Sequence, residues 1–334
     1  MTLAIAAALA LFTVRSGDPI VRESRPFAGG LATVSVVGGR PAARARAVEE
    51  AFQAFARVDE VMNEWRPESP LSALNAAAGS GAWTRLPPDL CRVLRLALDG
   101  ARRSGGLFDP TWAALRPAWR FDAGASPPGD GQVAALCPLV GWRAVAVEPA
   151  PGGACRARLP REGMAVGLGG IAKGWAVDRA VAALRRRGFS RFLVQAGGDL
   201  YAGRGPRGQG WTVGIRDPRG PGDAVFAHLA LRDRAFSTSG DYEHFFEAGG
   251  RRYHHVIDPR TCRPAEGARS VTIRARSAVE AEVLSKAAFV AGGEGGLRLV
   301  EREGAAAVVV TADNHVLRSP SLAAALRLDR APTP

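Results

Sequence analysis

Lysine is nearly missing from this chain. Of its 44 basic residues only Lys173 and Lys286 are lysine, the remainder being arginine. Arginine keeps its proton under all ordinary conditions, whereas lysine is a compact charge tuned by its surroundings. The two lysines are either survivors of codon bias or positions where arginine would not serve. Aromatic residues are also few, at 7%, and they do not interleave with a basic stripe. The net charge of +12 is scattered from end to end. Its densest knot, Arg185-Arg186-Arg187, falls at the end of a predicted helix, where the helix dipole favours cations. This distribution argues against a nucleic-acid partner. Cys91, Cys137, Cys155 and Cys262 show no CxxC or zinc-type spacing. They can pair in three ways, and free thiols stay open as an alternative. Internal repeats and long linkers are absent too.

Long hydrophobic runs are lacking. The apolar stretch at residues 3–14 is shorter than the roughly 20 residues a membrane span needs, and no positive residue precedes it. It reads as a clipped signal peptide, an anchor or a mis-assigned start, so residues 1–20 form an apolar leader or anchor of uncertain status. A periplasmic or membrane-associated location is therefore favoured over a cytoplasmic one, with membrane association through the N-terminus.

What is present is the patterning of a sizeable globular core. Residues 31–37 alternate and are β-branched, predicting a strand. Residues 41–65 carry helical periodicity through Ala51, Phe52, Phe55, Val58, Val61 and Met62. Residues 89–104 predict a second helix, stopped by Gly105-Gly106. Residues 121–160, rich in Pro, Gly and Ala, predict loops with short strands. Further helices are expected at 172–187, 278–291 and 295–303, and strands at 191–195, 211–215, 224–230, 271–275 and 307–311. Helices and strands come in groups rather than strict alternation, which favours an α+β fold over a doubly wound sheet.

The stretch VGLGGIAKGWAVDRA (166–180) passes from an apolar run through glycines to a lysine and a helix. Such a loop can cradle phosphate on free backbone N–H groups. A Walker A reading fails, because Ala172 precedes Lys173 and Gly174 stands where a magnesium-binding hydroxyl is needed. A dinucleotide fingerprint fits Gly167, Gly169 and Ala172, but Asp178 comes too early and Asp199 too late for the ribose.

The segment GGIAKGWAVD (169–178) resembles the lysine-containing segment of the FAD:protein FMN transferase family, also called ApbE-like or thiamine-biosynthesis-lipoprotein-like. Other blocks resemble that family in the same order: NEWRPESPLSALN (63–75), GGLFDPTWAALRPAWRF (105–121), VQAGGDLYA (194–202) and WTVGIRDP (211–218). FSTSGDYEHFF (236–246), YHHVIDPRTCRP (253–264) and AEVLSKAAFVAG (281–292) follow. The resemblance implies a single ApbE-type, T-fold-like α+β domain over 21–334, with antiparallel sheets flanked by helices. It also implies an enzyme that moves FMN from FAD to a threonine of a target flavoprotein, releasing AMP, usually with Mg²⁺.

By position, the resemblance makes Trp65, Leu107, Phe108, Asp109, Gly169, Lys173, Thr238, His254 and Ile257 contacts of FAD. Glu282, His255 and His254 become the catalytic candidates. Gly170, through its carbonyl, Glu282 and Ser285 become candidate metal ligands. A polar turn is the competing reading for Thr238, Ser239 and Gly240, and turn chemistry alone explains Asp258. Three departures matter. Gly167 stands where the family usually has aspartate, and Cys262 where it usually has glycine. Lys286 occupies a usual metal-ligand position, yet an ammonium has no lone pair to offer. Either Glu282 and Lys286 form an i,i+4 helix pair, or the ammonium replaces part of the metal. The second case leaves a metal-independent transferase or a non-catalytic flavin carrier as the alternative function.

Overall fold

A computed structural model describes residues 19–122 and 124–334. Most of the leader expected at 1–20 lies outside these residues. Among the described residues no helix is long and apolar enough to cross a membrane.

The core is an eight-stranded antiparallel sheet whose strands lie side by side in the order they occur in the chain. They are Ile20–Phe27, Gly30–Val37, Phe192–Ala196, Asp199–Ala202, Arg234–Gly240, Ala268–Ala275, Ala306–Thr311 and Val316–Arg318. Long excursions interrupt this meander. Between the second and third strands come α1 (Pro41–Met62), α2 (Pro70–Ala76), α3 (Pro88–Arg103), α4 (Asp130–Leu136) and α5 (Ala172–Arg186). Between the sixth and seventh come α6 (Ala278–Ala291) and α7 (Gly293–Arg302). The α+β, antiparallel reading is borne out.

Both faces of the sheet are covered, and the strand sequences show why. In Ala306–Thr311 (AAVVVT), Ala307 and Val309 enter the core under the helices, while Ala306, Val308 and Val310 enter a second core. Alternate side chains point to opposite faces, so a strand covered twice is apolar throughout. The second core is closed by a smaller sheet of Trp211–Arg216, Val225–Leu231 and Leu326–Leu328. Thr238, Ser239 and Gly240, for which a polar turn was one expectation, end the central strand Arg234–Gly240. Their turn chemistry is overridden by antiparallel pairing with Thr272, Val271 and Ser270 of the neighbouring strand.

Two contacts set up the site. Gly174 in the first turn of α5 touches the start of α6, where an added Cβ would lie 2.5 Å from the carbonyl oxygen of Ala278. Only glycine permits that approach. Asp178, one turn on, accepts the N–H groups of Ala278 at 2.8 Å and Val279 at 3.0 Å. It satisfies helix-start donors that would otherwise be orphaned.

All four cysteines are paired. Cys91–Cys155 joins α3 to the strand Cys155–Arg158, and Cys137–Cys262 joins the end of α4 to the turn after Asp258. Cys262 has φ 58°, a conformation that favours glycine. Its side chain is tolerated there because the bond to Cys137 and a small core with Leu115, Trp119 and Ile257 receive it.

Candidate active site

The glycine loop is clamped from two sides before it reaches α5. Asn75 of α2 donates to the Val166 carbonyl at 3.0 Å and accepts its N–H at 2.8 Å. The Gly167 N–H is taken by the carbonyl of Pro110 at 2.8 Å. Held this way, the loop presents Gly170 beside Phe108 and Lys286. A Cβ added at Gly170 would stand 3.0 Å from the Phe108 ring and 3.6 Å from Lys286 Cδ and Cε.

The two lysines meet here on one carboxylate. Lys173 Nζ donates to Glu282 Oε1 at 2.6 Å and to the Gly169 carbonyl at 3.1 Å, and lies 3.2 Å from Asp199 Oδ2. Lys286 Nζ is 3.6 Å from the same Glu282 Oε1. The other oxygen of Glu282 accepts the Gly174 N–H at 2.7 Å. Burial works against charge on Lys173, but Glu282 and Asp199 outweigh it and hold its proton above the ordinary lysine range. On Lys286 burial wins, and the pKa falls. Burial and the neighbouring Asp199 push the Glu282 carboxyl up, against the pull of both ammoniums.

Hydroxyls complete this floor. Ser237 donates to Asp199 Oδ1 at 2.5 Å, and Ser285 Oγ lies 2.8 Å from Ser239 Oγ and donates to the Glu282 carbonyl at 2.9 Å. Thr238, on the opposite face of its strand, pairs with Thr272 at 2.8 Å. Among the described residues no group of three or more His, Cys, Asp or Glu side chains is arranged to hold a metal.

The histidines differ sharply. His254 Nε2 bonds the Ala265 carbonyl at 2.8 Å, and its Nδ1 accepts the Val256 N–H at 3.3 Å. Its ring is fully engaged within the protein. His255 Nδ1 is shut away from solvent and has no hydrogen-bond partner among the described residues. Burial, then His244, His254 and the two lysines, push its proton affinity well below the ordinary value near 6.5. The ring is therefore neutral, with one nitrogen unused by the described residues.

Other expected contacts fall into place unevenly. Asp109 is buried and spends its carboxylate on the Thr111 N–H at 2.8 Å, the Thr111 hydroxyl at 2.6 Å and the Trp142 N–H at 3.0 Å. Leu107 is half-buried beside it. Ile257 packs in the small core by the Cys137–Cys262 bond. Trp65 is 76% exposed, an unusual state for a tryptophan.

The ApbE family model matches residues 26–310. This chain belongs to the ApbE family. It is 36% identical to the FAD:protein FMN transferase of Treponema pallidum over 318 residues, covering 90% of this chain and 87% of that protein. Its fold is similar to the ApbE protein of Thermotoga maritima, with a TM-score of 0.80 and 27% identity over 91% of this chain and 98% of that one. The apo flavinyl transferase ApbE of Pseudomonas stutzeri is similar at a TM-score of 0.79 and 28% identity, over 91% and 96% of the two chains.

Against the ApbE pattern, the absent carboxylate at Gly167 has a local explanation. Glu64 reaches into the loop and accepts the Leu168 N–H at 3.3 Å, and it forms an ion pair with Arg116. Burial raises the Glu64 carboxyl, opposed by Arg116. The Arg116 guanidinium in turn lies 4.8 Å from the Trp65 ring centre and 5.0 Å from that of Trp112. Sequence reasoning missed Glu64, Arg116 and Asp199. All three stand inside blocks already singled out, Glu64 directly before Trp65, but the Glu64–Arg116 pairing spans 52 residues and leaves no local signal.

Proposed function

We propose that this ApbE-family chain is an FAD:protein FMN transferase, moving FMN from FAD to a threonine side chain of a target flavoprotein and releasing AMP. The observation that carries the reading is the unpartnered Nδ1 of His255, whose imidazole is kept neutral by burial and by positive neighbours that include Lys286 and Lys173. A neutral imidazole is suited to take the proton of the attacking threonine hydroxyl. The threonine oxygen forms a bond to the FMN phosphorus, the bond from that phosphorus to the bridging oxygen breaks, and AMP leaves with that oxygen. Lys286 supplies positive charge to the diphosphate, and the glycine loop supplies backbone that can approach it closely. Trp65, with Arg116 beside it, offers an exposed flat face for the flavin dinucleotide.

The Mg²⁺ that the family resemblance implies meets a poor donor set in this chain. Mg²⁺ requires near-octahedral oxygen ligands, yet both oxygens of Glu282 are taken and two ammoniums stand on it. No step above is routed through a metal. Two features support export to an oxidising compartment, periplasmic or membrane-associated: the apolar run at 3–14 and the pairing of every cysteine.

The test is incubation with FAD and a threonine-bearing flavoprotein domain. Stoichiometric AMP together with covalent flavin fluorescence on the acceptor is the expected result. FAD that stays intact while bound would replace the transferase reading with that of a flavin carrier.

A further inference from the structure

The three donors of the Lys173 ammonium meet three oxygens from three different elements. These are Glu282 Oε1 on α6 at 2.6 Å, Asp199 Oδ2 on a central strand at 3.2 Å, and the Gly169 carbonyl of the glycine loop at 3.1 Å. Two carboxylates and a backbone carbonyl converging on one point are the ligands a small cation would ask for. Here the point is filled by a side chain. The Glu282 and Asp199 side chains are 0% and 3% exposed, so neither is free to turn toward another ion in solvent.

The second lysine is placed differently. Lys286 holds one longer contact, 3.6 Å to Glu282, and its stem runs beside Gly170. Among the described residues the Glu282 contact is its single ion pair, which leaves donors of the ammonium to face a ligand. In a chain with 42 arginines against two lysines, both lysines converge on this carboxylate. The planar fork of arginine could not make the compact three-oxygen contact that Lys173 makes. Formal charges on Glu282, Asp199, Lys173 and Lys286 cancel, whereas an added divalent ion would leave an excess of positive charge in a largely buried cluster.

We propose that Lys173 is the resident cation of this site, and that the chain binds and cleaves FAD without a divalent metal, Lys286 meeting the diphosphate. The division of labour is thus specific: the Lys173 ammonium neutralises Glu282 and Asp199, and Lys286 supplies positive charge to the phosphate. This rests on the transferase reading above.

Two measurements on the intact wild-type protein test it without requiring turnover. Mn²⁺ is titrated and followed by electron paramagnetic resonance, with and without FAD, and FAD binding is followed by flavin fluorescence in EDTA and in Mg²⁺. The expected result is no stoichiometric Mn²⁺ site and an FAD Kd that agrees within about twofold between the two conditions. A stoichiometric Mn²⁺ site, or FAD binding weakened about tenfold or more by EDTA, overturns the proposal and leaves the transferase reading standing. Absence of FAD binding under both conditions sinks the transferase reading itself. The double variant Lys173→Ala with Lys286→Thr removes both ammoniums and adds an oxygen donor. It is expected to gain Mn²⁺ binding and to make FAD binding metal-dependent. A folded double variant that binds FAD as the wild type does, without metal, counts against Lys173 as the resident cation.

Discussion

Glu64 and Gly167 share one space: a Cβ added at Gly167 would stand 3.1 Å from Glu64 Oε2, and 3.0 Å from Arg116 Nη2. The carboxylate that the family pattern leads one to expect at position 167 is replaced by one arriving from position 64. Gly167→Asp would crowd a second carboxylate against a largely buried one. The expected outcome is destabilisation of roughly 1–3 kcal/mol, read as a lowered Tm. Adding Glu64→Gln should recover a good part of it. Independent, additive losses in the double variant would show that the two side chains do not share the site.

Gly174→Ala makes a sharper test of the contact between α5 and α6. The new methyl meets the Ala278 backbone at 2.5 Å, and backbone cannot swing aside as a long side chain can. We expect a loss of about 2 kcal/mol or more, with FAD affinity falling as Lys173 is drawn away from Glu282. An alanine variant with wild-type Tm and FAD affinity would contradict the close packing.

Much of the framework is visible in local pattern. The α6 expectation at 278–291 agrees at both ends, because Ser277 caps the Glu280 N–H and Gly292 ends the apolar run. The helices expected at 89–104 and 172–187 differ from the structure by a single residue at their ends. Ile20–Phe27 was not foreseen, since a charged edge strand lacks the hydrophobic alternation that marks a half-buried one. The helix expected to reach residue 65 stops at Met62, leaving Trp65 in a turn over Arg116. Within the site, motif resemblance located the glycine loop, His255 and Glu282. It could not reveal that Lys173 bridges Glu282 and Asp199, because that geometry depends on a helix contact enabled by Gly174.

Trp65 is largely exposed, so its removal should cost the fold little and the ligand more. For Trp65→Ala we expect a Tm near that of the wild type and FAD bound roughly tenfold more weakly by fluorescence titration. A large drop in Tm would mean that the ring is a structural element and not a binding face.

Acid should weaken this protein partly through His255. Folding holds its imidazole neutral, well below its ordinary pKa near 6.5, so the unfolded chain binds the proton first. Stability from this group is full above about 6.5 and is lost as pH falls toward the folded value. His254 is shifted in the same direction, chiefly by burial. Asp178 acts oppositely, because burial lifts its carboxyl from 3.8 to about 6, so the folded state binds that proton first as pH falls. Melting His255→Asn beside the wild type from pH 7.5 down to pH 5 isolates the His255 contribution, pH values being set by the ordinary range of about 6.5. The variant should lose less Tm on acidification; an unchanged slope would assign the acid sensitivity elsewhere.

Reduction of the Cys137–Cys262 bond should reach the site as well as the fold. Cys262 lies seven residues beyond His255 in the same block. Replacing both cysteines with serine should cost roughly 2–4 kcal/mol of stability and lower FMN transfer more than FAD binding. Equal effects on both would indicate general loosening of the molecule.

The two disulfides also interleave along the chain, since Cys137 lies between Cys91 and Cys155 while Cys155 lies between Cys137 and Cys262. A polypeptide emerging N-terminus first into an oxidising environment presents Cys137 to Cys91 before Cys155 has arrived. Pairing in order of appearance would give Cys91 with Cys137 and Cys155 with Cys262, neither of them native. Correct maturation therefore demands that α3 and the strand Cys155–Arg158 assemble before their thiols are oxidised, or that wrong bonds are exchanged afterwards by thiolate attack. In the oxidising compartment proposed above, the yield of active protein would follow oxidation timing, and a disulfide isomerase there is expected to raise it.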